Sequence, residues 1–138
     1  MTGEDVALTA EERAKLAVVA DLLIPRTSGM PSASDASVEG EFIDRVFAVR
    51  PDLAEAVRAG LAEIDEPLPG SFPELQARAL ARTRPLAEAV TAAYVLNPQV
   101  AQLVGYRKRS VIPIRFDEDL DALVAPVDRR GPIYRPTP

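Results

Sequence analysis

The sequence contains no cysteine, no histidine and no tryptophan. Without histidine there is no Ser-His-Asp triad, no imidazole base and no histidine ligand for haem. Without cysteine there is no disulfide, thiolate nucleophile or iron–sulfur cluster, and structural zinc loses its usual ligands. Carboxylates, hydroxyls and an oxygen-bound Mg²⁺ or Ca²⁺ are the chemistry that remains. We therefore expect no catalytic, cofactor-binding or metal-binding residues in this chain.

Phosphate loops and long apolar runs are missing too. The seven glycines are scattered, with no GxGxxG and no GxxxxGK[ST] pattern. No apolar stretch approaches the ~20 residues of a membrane span, and the net charge of -5 opposes binding to phosphate backbones. We expect neither a nucleic-acid partner nor membrane insertion. The acidic start, Met1 to Asp5, has no apolar core and no twin arginine, which predicts a cytoplasmic protein, periplasmic only if exported with a partner.

The composition is typical of one folded domain: 138 residues, 47% hydrophobic and 27% charged. Thirteen prolines divide the chain into short segments in which apolar residues recur at helical spacing. We predict an all-α protein, with a small bundle of about five or six short helices over residues 1–105. An extended, proline-rich C-terminal tail over residues 106–138 follows and wraps a partner or the body.

Local signals place the first three helices. Thr9 and Glu12 form a capping box, and Pro25 stops the first helix at Ile24. A second helix is predicted from about Asp35 to Ala48, and a third begins near Pro51, which suits a first turn. The residues predicted to be buried are Leu16, Val19, Ala20, Leu23, Val38, Phe42, Ile43, Val46, Phe47, Leu53, Val57, Leu61 and Ile64.

Three further signals mark the second half of the bundle. Ser71 and Glu74 resemble another capping box, and Pro85 either starts a new helix or kinks the existing one. Asn97-Pro98 indicates a helix start, and Gly105 indicates its end. The residues predicted to be buried here are Leu75, Ala79, Leu86, Val90, Ala93, Tyr94, Val100, Leu103 and Val104.

The tail differs from the body in charge and in pattern. Residues 106–138 hold seven Lys/Arg and five Asp/Glu, a charge of +2, which leaves −7 for residues 1–105. Residues 117–124 are predicted to form at most one or two helical turns, and residues 125–138, with four prolines, to be extended. Asp117 to Asp121 offer oxygen ligands for Mg²⁺ or Ca²⁺, but a solvated helix start is the stronger interpretation.

The tail is too apolar for a free linker and too interrupted by proline for a compact helix, so it suits an extended strap with spaced anchors. The basic triplet after Gly105 either contacts a partner or complements a helix end. The residues that we predict to contact a partner are Tyr106, Arg107, Lys108, Arg109, Ile112, Ile114, Phe116, Ile133 and Tyr134.

Two blocks of the sequence resemble a known family. Residues 8–25, LTAEERAKLAVVADLLIP, fit the pattern L-[ST]-x-x-E-R-x-x-L-x-x-[IVL]-x-D-x-[LI]-[IL]-P, and Gly29 to Ser34 and Phe42 to Asp44 continue the match. Residues 93–106 add a tyrosine, an Asn-Pro-x-Val step and a Gly-Tyr pair, with a looser echo at residues 131–134. In these residues the chain resembles the subunit 3 family of gluconate 2-dehydrogenase.

The resemblance implies an accessory role. Members of this family are small, cofactor-free partners of a large flavoprotein of the glucose–methanol–choline (GMC) type, which holds FAD and oxidises a sugar or polyol. The small subunit supports folding, stability or export of the large one. Many members carry a twin-arginine signal, which this sequence does not show, and the departure favours a cytoplasmic heterodimer or a dimer of heterodimers.

Two other functions stay open on the residues alone. The chain fits an independent helical adaptor that binds another protein, in which case no flavin would accompany the complex. It also fits a small carboxylate-based or metal-assisted enzyme, which would need paired carboxylates with shifted pKa values in a pocket. The composition disfavours the enzyme, and the resemblance favours the accessory subunit.

Overall fold

The computed structural model describes residues 7–106, 109 and 120–133. The chain divides into two compact units, residues 1–107 and 108–138. Among the described residues, the first unit contains six α-helices and the second contains one, with no strand beyond an isolated bridge between Thr27 and Met30. The predicted all-α class is therefore confirmed. The helices are α1 (Ala10–Leu23), α2 (Ile43–Val49), α3 (Pro51–Ala62), α4 (Phe72–Arg78), α5 (Leu80–Leu96), α6 (Pro98–Leu103) and α7 (Leu120–Arg130).

Several predicted helix ends are confirmed. Thr9 accepts a hydrogen bond from the Glu12 backbone at 3.2 Å, and the Glu12 carboxylate accepts one from the Thr9 backbone at 2.8 Å. Asn97 caps α6 by accepting from the Gln99 backbone at 2.8 Å. Only half of the second capping box forms: Ser71 accepts from the Glu74 backbone, but Glu74 accepts from the Gly70 backbone at 2.9 Å instead of from Ser71.

The second helix begins later than predicted. Residues 33–37 form turns, and Val38–Phe42 form a wide π-type turn, so α2 starts only at Ile43. Ser37 has a left-handed φ of 55°, and Gly40 is non-helical at φ −89° and ψ −134°. These two residues break the helical path, yet the side chains predicted to be buried from Val38 to Phe47 are all buried. The apolar pattern therefore identified the inward face correctly and the backbone incorrectly.

Helix α5 runs unbroken through Pro85 for 17 residues. The proline lies in the second turn, where the loss of one backbone donor does not end the helix. Its buried face consists of Leu86, Ala89, Val90, Ala93 and Tyr94, which packs against the turn before α2 and against α2, α3, α4 and α6. Helix α5 is therefore the central support of the first unit.

The core of the first unit draws on every one of its helices. Its members lie between Leu8 and Val100, and the largest fully buried side chains include Phe47, Leu16 and Ile43. Helices α3 and α5 approach closely at Gly60, where an added Cβ would lie 3.1 Å from the Arg82 Cβ and 3.2 Å from a Leu86 methyl. Any side chain there would have to displace Arg82 or Leu86 by a few tenths of an ångström, so the close approach of the two helices favours glycine.

Helix α7 corrects the expectation for the tail. Residues 125–130 were expected to be extended, but they continue the helix that begins at Leu120, with Pro126 inside it. Pro126 has no N–H to donate to the helix, yet the helix continues. The apolar residues recur at helical spacing through this segment, at Leu120, Leu123, Val124 and Val127. Gly131 follows α7 with a φ of 70° and donates to the Val127 and Asp128 carbonyls, both at 3.2 Å, a common way to end a helix.

The close approach of α3 and α5 yields a stability prediction. We expect Gly60→Val to lower the free energy of unfolding by about 1–3 kcal/mol, because overpacking forces side chains from their rotamers. Urea unfolding followed by circular dichroism measures this change. Glu55→Val, an exposed position on the same helix, is the matched control and should change stability by less than about 0.5 kcal/mol. Equal stability of the two variants would contradict this close packing.

Candidate partner interface

The loop between α1 and the wide turn, residues 24–37, is irregular but tightly held. Asp21 of α1 accepts two hydrogen bonds from Ser34, from the backbone at 2.8 Å and from the hydroxyl at 2.6 Å. Within the loop, the Ser32 backbone donates to the Asp35 carboxylate at 3.0 Å, and Arg26 pairs with Asp35 at 2.6 Å. These contacts fix a segment that has no regular structure of its own.

The far side of this loop is held from the end of α5. The Tyr94 hydroxyl donates to the Pro31 carbonyl at 2.6 Å, and the Asn97 side-chain amide donates to the Ala36 carbonyl at 3.0 Å. Burial raises the pKa of Tyr94, and the nearby Asp35 charge acts in the same direction, so the phenol keeps its donor proton at neutral pH. Asn97 therefore caps α6 and holds the loop at the same time.

Arg13 and Lys15 join α1 to other parts of the body. The Arg13 guanidinium donates to both oxygens of Asp44, at 2.8 and 3.0 Å, and to the carbonyls of Glu39 and Gly40 at 2.6 and 3.2 Å. Lys15 donates to the Leu61 and Ile64 carbonyls at 3.2 and 2.8 Å, which satisfies the open end of α3. Each cation thus donates to backbone carbonyls in an irregular turn or at a helix end.

These contacts give the motif residues a structural role. Arg13, Asp21, Ser34, Asp44 and Tyr94 lie in the blocks on which the family resemblance rests, and each is engaged with another of them or with the backbone. A shallow cleft of about 280 Å³ between α1 and α3 is likewise lined by Lys15 and Arg58, which already donate to carbonyls. The polar groups of the body therefore hold the fold together.

The end of the first unit exposes apolar side chains. Five of them fall within residues 95–106, and we call them the α5–α6 cluster: Val95, Leu96, Leu103, Val104 and Tyr106. Tyr106 is 64% exposed and Val104 57% exposed. Exposed apolar groups concentrated in this way mark surfaces that bind other molecules. The cluster is the strongest candidate for a binding surface in the first unit.

A helix-ending turn fixes the position of Tyr106. Gly105 has a φ of 81°, and its N–H donates to the Gln102 carbonyl at 3.0 Å. The Tyr106 N–H reaches back to the Ala101 carbonyl at 2.8 Å. This pair of bonds is the Schellman motif. The predicted role of Gly105 as the residue that ends α6 is thereby confirmed.

The sequence prediction was wrong for Leu103 and Val104, which were expected to be buried. They are 56% and 57% exposed, because among the described helices α6 packs only on α5 and only Val100 reaches the core. Val95 was also missed, although a signal existed: it lies on the opposite side of α5 from the buried stripe. A shallow, mostly apolar groove continues from Val95 along that side, lined by Arg84, Ala87, Glu88, Thr91 and Ala92.

The structure describes three of the nine predicted contact residues. Tyr106, Arg109 and Ile133 are all exposed, so their predicted role in partner contact stays a prediction. The other six lie outside the described residues: Arg107, Lys108, Ile112, Ile114, Phe116 and Tyr134. Residues 117–119 of the acidic run also lie outside them.

Across residues 7–106, 109 and 120–133, no group of three or more carboxylates is arranged to hold a metal ion. No described helix has both the length and the apolar character needed to cross a bilayer. The α5–α6 cluster and helix α7 are both rich in exposed apolar side chains. They are therefore the candidate binding surfaces among the described residues.

The described residues form a small helical protein. Its motif residues make structural hydrogen bonds within the first unit, and several large apolar side chains are exposed to solvent. Comparison with protein families matches residues 10–79 to the family described as Gluconate 2-dehydrogenase subunit 3. The match spans half of the chain, and the chain belongs to this family, whose description makes it a subunit of a multi-subunit dehydrogenase. No curated protein and no solved structure matches the chain. The family match ends before α5, so the α5–α6 cluster and α7 lie beyond it.

Asp35 gives the loop a dependence on pH. The Ser32 backbone hydrogen bond, the Ser32 side chain and the Arg26 charge hold the pKa of Asp35 below its ordinary value of 3.8. A lowered pKa in the folded state adds stability above the ordinary value, and that contribution is lost as the pH falls through the lowered value. We expect Asp35→Asn to melt at a lower temperature than the wild type at pH 7, with the gap closing below about pH 4. Thermal unfolding measured across pH tests this, and a gap independent of pH would contradict it.

Proposed function

We propose that this chain is a non-catalytic small subunit that binds and stabilises a large FAD-dependent oxidoreductase of the GMC type. The large subunit acts on a sugar, a sugar acid or a glycoside. Membership of the subunit 3 family supports a role within a dehydrogenase complex. The observation that carries the binding role is the α5–α6 cluster, which a chain functioning alone would have reason to bury.

The chemistry of the chain supports a division of labour. The sequence has no histidine and no cysteine, and the best-held polar groups, such as Arg13, Asp21 and Tyr94, are engaged in structural hydrogen bonds. Hydride removal from an alcohol needs a base and an acceptor, and the partner supplies both in this proposal, with FAD as the acceptor. This chain contributes surface and stability.

The cluster has the composition of an interface core. Apolar groups make up about 65% of the buried core of a permanent interface, and aromatic residues are enriched there. The cluster provides both kinds of group, with the aliphatic Val95 and Leu96 and the aromatic Tyr106. All three are already exposed, so a partner could contact them while the core of the first unit stays as it is. The proposal also keeps the predicted contact residues of the tail: Arg107, Lys108, Arg109, Ile112, Ile114, Phe116, Ile133 and Tyr134. A complex that pairs two such heterodimers fits the proposal.

Binding at this surface would also stabilise the small subunit. A partner that binds only the folded state raises stability in proportion to the logarithm of its concentration over Kd. The partner gains in the same way, because the linkage is reciprocal. Accessory subunits of this kind need no active site in order to be essential.

Co-purification tests the proposal directly. The tagged chain is co-expressed with a GMC-type flavoprotein from the same genome, and the eluate is sized while protein and flavin absorbance are read together. We expect the chain to migrate with a large yellow partner. Deletion of residues 107–138 should reduce the recovered partner, since the tail supplies much of the contact. A colourless chain that migrates alone would overturn the proposal and favour the independent adaptor, and undiminished recovery after the deletion would remove the tail from the interface.

A second experiment examines the α5–α6 cluster itself. We expect Leu103→Asp combined with Val104→Asp to weaken binding of the flavoprotein by at least about tenfold, because the charges would be desolvated at an apolar interface. Both side chains are exposed, so the fold should be unaffected, and circular dichroism verifies this. Val49→Asp, at a position 78% exposed on α2, is the matched control and should bind like the wild type. Equal binding by all three proteins would exclude the cluster as the contact.

A further inference from the structure

Helix α6 is too short to be held by its own backbone hydrogen bonds. It has six residues, and isolated helices in water are marginal below about 12–15 residues. Among the described helices it packs only on α5, and Val100 is its one buried side chain. The orientation of α6 therefore depends on the polar contacts at its start. This orientation matters because Leu103 and Val104, at the end of α6, belong to the α5–α6 cluster.

Asn97, the residue before α6, uses all four of its polar groups. Its backbone N–H donates to the Tyr94 carbonyl at 3.3 Å, and its carbonyl accepts from the Ala101 N–H at 2.9 Å. Its side-chain oxygen accepts from the Gln99 N–H at 2.8 Å, and its side-chain amide donates to the Ala36 carbonyl at 3.0 Å. The first three bonds join α5 to α6. The fourth joins α6 to the loop, 61 positions away in the chain, and we call it the tether.

The two side-chain bonds of Asn97 need opposite chemistry. The cap requires an acceptor that faces the Gln99 N–H, and the tether requires a donor that faces the Ala36 carbonyl. A side-chain amide supplies both groups. Aspartate caps helices about as well as asparagine, but an ionised carboxylate only accepts hydrogen bonds. The substitution Asn97→Asp therefore keeps the cap and removes the tether.

The loop around the tethered residue is bonded to itself and to α1. The Ala36 N–H donates to the Ser32 carbonyl at 3.1 Å. Ser34, between these two residues, donates to the Asp21 carboxylate from its backbone at 2.8 Å and from its hydroxyl at 2.6 Å. Proteins open locally in contiguous cooperative units, and hydrogen bonds of this density favour opening as a unit. The connection from Asp21 to Asn97 thus runs through two residues of the loop, with hydrogen bonds at both ends.

We propose that Asn97 is a positioning residue that couples residues 31–37 of the loop to α6, so that the two segments open and close together. Order in the loop then sets how Leu103, Val104 and Tyr106 of the α5–α6 cluster are presented. By linkage, a molecule that binds the cluster and orders α6 also stabilises the loop. The inference concerns the free chain and holds for any partner of the cluster.

Amide hydrogen exchange of the full-length chain, followed residue by residue by NMR, tests the coupling from the loop to α6. We expect Asp21→Ala to speed exchange of the Ala101 and Tyr106 amides by at least about fivefold, because the loop loses both bonds to Ser34 and its opening carries α6 with it. Asp21 lies on α1, where alanine is a strong helix former, and its bonds go to Ser34. Glu55→Ala, at an exposed position on α3, is the matched control and should leave both amides unchanged.

A second variant tests the coupling in the opposite direction. We expect Asn97→Asp at pH 7 to speed exchange of the Ala36 and Val38 amides by at least about fivefold, because the Ala36 carbonyl loses its donor. Exchange of the Ala101 amide should rise by a similar factor. A carboxylate at a helix start is favourable for the helix itself, so a rise in α6 reports the lost tether and not a lost cap.

The pattern of exchange across three segments decides the result. The coupling predicts that the loop and α6 respond together, and more strongly than the amides in the middle of α3, in both variants. If Asp21→Ala speeds exchange in the loop and leaves α6 unchanged, α6 is held by α5 alone and the coupling is wrong. If α3 responds by the same factor as the other two segments, the variant has lowered global stability and a separate unit of loop and α6 does not exist. Neither measurement involves the flavoprotein, so the proposed function is tested separately.

Discussion

The fold of this protein depends on one cation, Arg13. Its guanidinium binds both oxygens of Asp44 and the carbonyls of Glu39 and Gly40. These carbonyls lie in the wide turn before α2, where Gly40 is non-helical, and an unpaired backbone acceptor away from water is costly. A planar fork of five donors satisfies several acceptors at fixed angles, which a lysine cannot do. In the loop that precedes the turn, the Asp21 carboxylate accepts from Ser34. Tyr94 and Asn97 donate to carbonyls of the same loop.

This use of polar residues shapes what the molecule can do. Groups that hold an irregular loop in place are not available for acid–base chemistry, so the motif that identifies the family is an architectural one. Exposed apolar side chains lie in the α5–α6 cluster and on the outer side of α5 in the first unit, and on α7 in the second. The family description makes the chain a subunit of a dehydrogenase complex, and a rigid body with exposed apolar side chains is compatible with that.

The sequence predicted short-range features of the fold correctly and some long-range features incorrectly. Thr9, Asn97 and Gly105 were assigned correctly, because each acts on backbone groups within a few positions and needs no distant partner. Apolar spacing also identified the buried faces of α3 and α5. The same spacing failed at Leu103 and Val104, because α6 packs on one helix only and its last turn has no described neighbour. It failed in the opposite sense at residues 125–130, where proline suggested an extended chain and a helix formed.

The sequence by itself determined the helical class, most helix ends and the absence of histidine and cysteine chemistry, since these follow from composition and short-range contacts. Only the tertiary structure decided that the second helix starts at Ile43, that α5 continues through Pro85 and that Val95, Leu103 and Val104 face solvent. Those features depend on residues far apart in the chain, such as Arg13 with Asp44 and Tyr94 with Pro31. Local patterns carry no information about which of several apolar faces packs against a neighbour, and that choice determines which apolar side chains remain exposed.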